Sequence, residues 1–185
     1  MKKVCSLVVL FFLLAANGFS QGKYYTKTGK ISFFSSAKLE NITAVNRSVV
    51  SLLDTKTGDF QFVVLMKGFE FRKALMQEHF NREYAESDKY PKSEFKGQLV
   101  NNSSVNYSVD GIYKVTVKGK MTIHAVTKDV EVPGTITIKN GKISANSTFN
   151  LLIADYNISI PKMYRDNISK SIQISVDETL EPLKQ

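Results

Sequence analysis

A chain of 185 residues, 43% of them hydrophobic, supports one domain with a sizeable core. Its formal charge of +8 comes from lysines and arginines that stand mostly one or two at a time among serine, threonine and asparagine, with no arginine-rich run. That pattern suits a solvated surface with a mild attraction to anionic lipid headgroups, and it argues against nucleic acid as a partner.

At the N-terminus, Lys2 and Lys3 precede an apolar run from Val4 to Ala16, and small residues follow in "NGFSQG". This is the pattern of a secretory signal peptide, with an apolar run too short for a comfortable membrane span. Cleavage is expected after Ser20. Residues 1–20 are then the signal and 21–185 a single domain exported to the periplasm or beyond. Cys5, the only cysteine, lies near the start of the apolar run and not at the cleavage point, so no lipid anchor is expected. The mature chain would hold no disulfide and no thiolate metal site. Losing Lys2 and Lys3 takes its formal charge from +8 to +6.

The rest of the chain alternates apolar and polar residues with period two, the mark of a half-buried strand. Strands are predicted near 23–36, 42–54, 59–67, 93–101, 105–124, 127–139, 142–155 and 168–181. The clearest is "YKVTVKGKMTIH", with Tyr113, Val115, Val117, Gly119, Met121 and Ile123 on one face and Lys114 to His124 alternating on the other. Asn140-Gly141 is a strong hairpin turn signal. Pro133 removes a ladder donor and marks an edge, a bulge or a non-bonded site. Asp155 continues the inward phase of Phe149, Leu151 and Ile153. A lone carboxylate is costly there, so the strand is expected to end and Asp155 to serve a turn.

Short links favour antiparallel neighbours. Eight long strands then form a sandwich or a closed barrel. The barrel is preferred because closure removes the exposed edges. Gly97, Gly119, Gly134, Ala145, Ser147 and Ser51 fall on the inward phase. They either leave a cavity or face bulky partners in a filled core, and spacing alone favours neither.

One stretch breaks the pattern, "FRKALMQEHFNREYAESDKYPKSEFKG" from Phe71 to Gly97. On a helical wheel Met76, Phe80 and Tyr84 make one apolar stripe, while Phe71, Leu75, Ala74 and Ala85 gather opposite. Two stripes predict a helix wedged between apolar surfaces, or one that breaks near Asn81. Glu78–Arg82 and His79–Glu83 stand four apart. The first reads as a surface ion pair. The second has only His124 as a further histidine in the chain, too few for a typical metal set, so no metal site is expected. No nucleophile motif or glycine-rich phosphate loop appears, and no enzyme is expected.

Three separated motifs in order, the 71–97 stretch, "VKGKMTIHAVTKDVEVPGTI" and "DYNISIPKM", resemble the YceI-like family of exported lipid- or polyisoprenoid-binding proteins. The version here looks like the branch common in Bacteroidetes-type bacteria. Met121 and Ala125 stand where the family's strand-pair motif has Leu and Gly. The family's more widespread N-terminal pattern of Asp, His-Ser and a second histidine is absent; "GKISFFSSAKLENITAVN" stands there.

The resemblance implies an all-β fold, an eight-stranded antiparallel lipocalin-like barrel with one short helical insertion near the pocket. It implies a long apolar lipid, of isoprenoid quinone or polyprenyl type, in the interior, and no other cofactor. The lining expected on this reading is Phe33, Phe62, Phe69, Phe71, Leu75, Met76, Phe80, Tyr84, Phe95, Val117, Phe149, Leu151 and Tyr156, with Arg72 and His79 at the headgroup. The alternative is a filled barrel acting as an interaction or structural module in the envelope. The sequence assigns no oligomeric state.

Overall fold

The computed structural model describes residues 22–183, so the expected signal peptide lies outside the described residues. The strands are β1 (Lys23–Ser36), β2 (Asn41–Asp54), β3 (Asp59–Leu65), β4 (Glu70–Phe71), β5 (Lys92–Leu99), β6 (Gly111–Ile123), β7 (Val126–Lys139), β8 (Lys142–Leu152) and β9 (Ser171–Pro182). One α-helix, α1 (Ala74–His79), continues into a π-turn at Phe80–Tyr84. Eight strands pair antiparallel in the cyclic order β1-β2-β3-β5-β6-β7-β8-β9, and β1 pairs with both β2 and β9 to close the barrel. The short β4 is a branch on β2.

Closure follows from the alternation: every long strand has one apolar face, and the barrel turns all of them inward. The predicted strands are present with trimmed ends. The expected 105–124 strand begins at Gly111, because Asn102–Ser104 forms a 3-10 turn and buried Val105 caps the barrel end. The strand expected to reach 155 stops at Leu152. A 3-10 turn follows at Ile153–Tyr156, in which Asp155 is exposed.

Pairing of β7 with β8 covers only Thr135–Lys139 against Lys142–Asn146. Pro133, with no N–H to give, sits just beyond the point where that ladder stops. There its carbonyl accepts a bond from Ser147 Oγ at 2.6 Å.

The interior divides into two halves. In the half bounded by the β2–β3 and β7–β8 turns, Leu53, Phe60, Phe95, Leu99, Ile138, Ile143 and Leu180 are buried and close-packed. Gly97 faces Gly119 across β5 and β6. A Cβ on Gly119 would lie 2.4 Å from the Gly97 Cα and from the Lys96 carbonyl, so the strands can approach here only without side chains. The Phe95 ring tip covers both glycines. Most of the inward small residues are answered by neighbours, while Gly134 and Ser147 border an open cleft between β7 and β8. Gly97 and Gly119 sit under Phe95, Gly134 lies against Val115 and Val117, and Ser51 bonds the buried carboxyl of Glu178.

Candidate functional site: a cavity at the insertion end

The other half of the barrel is hollow. A cavity of about 460 Å³ opens toward the end that carries the 66–91 connection and the 153–170 link. That volume falls in the range of single-ligand pockets. The barrel strands supply Ile31 and Phe33 from β1, Phe62 and Val64 from β3, Met121 and Ile123 from β6, Phe149 and Leu151 from β8, and Ile172 and Ile174 from β9. All lie on the inward phase of their strands.

The insertion supplies the rest of the wall. Phe33, Phe69, Phe71 and Phe80 form one aromatic cluster with ring centroids 5.0–5.7 Å apart, fastening the insertion to β1 and β4. Leu75, Met76, His79, Phe80, Tyr84 and Ala85 all border the cavity. Residues of both apolar stripes thus reach it. The helix changes character at Phe80: the Ala85 N–H donates to the Phe80 carbonyl, five residues back. The wider turn rotates the following residues toward the barrel. Asn81 pins this turn, donating from Nδ2 to the Gln77 carbonyl at 2.9 Å and accepting at Oδ1 from buried Ser87 at 2.6 Å.

Of the residues expected to line a pocket, Phe33, Phe62, Phe69, Phe71, Leu75, Met76, Phe80, Tyr84, Phe149 and Leu151 border this cavity. Three do not. Phe95 stacks on Phe62 with centroids 5.3 Å apart and forms the boundary of the filled half. Val117, paired with Leu99 and Val132, lies inside that half. Tyr156 is buried in the 3-10 turn that packs against β7, so it is outside the cavity. Arg72, between β4 and α1, is exposed and borders no part of it.

Polar groups are few, and the charged ones are paired. Lys73 meets Glu40 at 2.7 Å, and Lys92 meets Glu94 at 2.5 Å, holding the Glu94 carboxyl below the usual range. His79 Nδ1 lies 3.0 Å from Glu83, whose carboxyl is held low first by Arg82 and then by His79; Tyr164 stands beside this pair.

A second histidine reaches the cavity against expectation. Alternation along the 113–124 stretch puts His124 on the outward phase of β6. Instead it begins a two-residue turn in which His124 and Ala125 have φ of 51° and 59°. The left-handed backbone breaks the alternation and places His124 at the cavity. Its Nε2 lies 2.6 Å from Glu86, and its ring stands edge-on to Tyr90 at 4.2 Å. The short β6–β7 connection carried the only usable signal, since a two-residue hairpin forces positive φ. Among the described residues no three His, Cys, Asp or Glu converge as a metal set, and no helix is long and apolar enough to cross a membrane.

The family model for the YceI-like domain matches residues 18–180. Solved structures share the fold at low identity. A polyisoprenoid binding domain from Saccharophagus degradans, implicated in plant cell wall breakdown, is 14% identical with a TM-score of 0.76, covering 88% of this chain and 99% of its own. Burkholderia cenocepacia BcnA is 16% identical with a TM-score of 0.67, covering 83% and 96%. The Campylobacter jejuni YCEI protein is 17% identical with a TM-score of 0.56, covering 75% and 81%. No curated protein matches the chain in sequence.

Proposed function

The chain belongs to the YceI-like family, and on that premise we propose that it is an exported, non-enzymatic protein that holds a long apolar lipid, of isoprenoid quinone or polyprenyl type, for carriage or sequestration. The observation that carries this reading is the cavity: about 460 Å³, walled by phenylalanine, isoleucine and methionine, with its charged groups paired among themselves. An apolar chain entering it buries its own surface and that of the wall, at about 25 cal/mol for each Å² removed from water. A filled barrel serving only as an interaction module would lack such a space. Glu83 of the His79–Glu83 pair is also held by Arg82, which stays charged and relays no proton. The apolar, basic rim of the cavity supports transient contact with a membrane surface during loading. The signal-like N-terminus supports export.

Native mass spectrometry and organic extraction of protein purified from its own envelope test the reading. A long-chain apolar lipid is expected to co-purify. Met121→Trp, which fills the cavity from β6, is expected to fold and carry none. Wild-type protein that yields no lipid would sink the proposal.

A further inference from the structure

Two histidines reach the cavity, each held by a glutamate on one ring nitrogen, and His124 is the more enclosed. His124 has a side chain 12% exposed, fixed by Glu86 on Nε2 and by the Tyr90 ring on its flank. In a neutral imidazole a carboxylate on Nε2 selects the tautomer that carries the proton there, and Nδ1 is then an acceptor. No hydrogen bond from a described residue reaches Nδ1.

The backbone fixes where the pair stands. The two-residue hairpin between β6 and β7 sets φ at 51° and 59° for His124 and Ala125, and Glu86, at 44°, lies just past the π-turn.

The charges set the ligand chemistry. Of the charged side chains in the lining, Lys73 is paired with Glu40 and Glu94 with Lys92, while Glu86 stands behind His124 and Lys89 Nζ lies 4.8 Å over the Tyr90 ring. A fully ionised phosphate offers acceptors only and has no proton to give to Nδ1, whereas a hydroxyl donates.

We propose that His124, oriented by Glu86, accepts a hydrogen bond from an uncharged hydroxyl at the polar end of the bound lipid, and that the site selects hydroxyl-terminated lipids over phosphorylated ones. This rests on the lipid-binding reading of the cavity. His124 is the contact residue and Glu86 the positioning residue.

Three probes of equal chain length separate the two ideas: farnesol, farnesyl methyl ether and farnesyl phosphate, each competed against an apolar fluorescent dye. Farnesol is expected to bind about tenfold tighter than the ether, the worth of one hydrogen bond, and tighter than the phosphate. His124→Phe is expected to equalise farnesol and ether. Glu86→Ala, which frees both the tautomer and the orientation of the ring, is expected to narrow the gap. If wild-type protein binds alcohol and ether equally, or the phosphate best, the hydroxyl assignment falls and the lipid cavity stands. If none of the three binds, both fall. The wild-type comparison decides even where the His124 variant does not fold.

Discussion

Glu178 continues the inward phase of Ile172, Ile174 and Val176 on β9, and it is fully buried in the filled half of the barrel. Gly29 makes room for it: a Cβ there would lie 2.4 Å from the Glu178 carboxylate. Ser51 donates to one carboxyl oxygen at 2.5 Å, while the other has no partner. Burial pushes this carboxyl up to about 7; the Ser51 bond opposes the rise and Asp177 adds to it. A raised folded-state value stabilises the fold at low pH. That stability is lost as pH rises through about 7, because the unfolded chain releases its proton first. The loss is on the order of 3 kcal/mol. Glu83, Glu94 and Asp177 are shifted down, so their contributions fade only as pH falls below the ordinary carboxylate range. Melts of wild type and Glu178→Gln at pH 5 and pH 8 separate the effects. The variant is expected to be the more stable at pH 8, by an amount that shrinks at pH 5. A variant less stable at pH 8 would show that the ionised carboxylate is not a liability.

The insertion is an element held by few bonds, and Asn81 makes two of them through its side chain. Its backbone carbonyl also accepts from the Ser87 N–H at 2.8 Å. Asn81→Ala leaves the Ser87 hydroxyl buried without its acceptor, at a cost of about 1–2 kcal/mol. Hydrogen exchange is expected to speed up at the amides of Ala85 and Ser87 while the strand amides keep their protection. Uniform loss of protection across β1–β9 would mean that the insertion is not a separable wall. Long alternation made the strands legible in the sequence, and with them the inward residues. The two apolar stripes made the wedged, broken helix legible. The division of the interior was not, because it depends on where one ring goes. Phe95 and Phe62 carry the same inward signal, yet Phe95 swings over Gly97 and Gly119 and fills its half. His124 was hidden for a related reason: parity predicts a face only while the backbone stays extended, and the turn ends that at residue 124.

For the molecule as a whole, both ends show apolar side chains to solvent, and the cavity end alone leads into the hollow half. At the cavity end the 37–40 loop, α1 and the 162–168 segment are tied together by the Leu39 N–H to the Asp166 carbonyl, by Lys73 to Glu40 and by Lys38 to Asp166. These segments expose Leu39 at 72%, Leu75 at 63% and Met163 at 77%, among Arg72, Lys162, Arg165 and Lys170. Apolar side chains ringed by cations suit the interface of an anionic bilayer, where each nearby cation is worth about 1 kcal/mol. A lipid leaving the membrane there would pass directly into the cavity. The filled end exposes Ile112 at 75%, Val100 at 54% and Val109 at 52%, and Ile112, the most exposed, provides an internal control. Flotation with phosphatidylcholine vesicles, with and without phosphatidylglycerol, is expected to show binding that needs the anionic lipid and weakens with salt. Combined Leu39→Glu, Leu75→Glu and Met163→Glu is expected to abolish it, and Ile112→Glu to leave it unchanged. Equal loss from Ile112→Glu would mean the attraction is diffuse charge, and the rim would then have no special part in meeting the membrane.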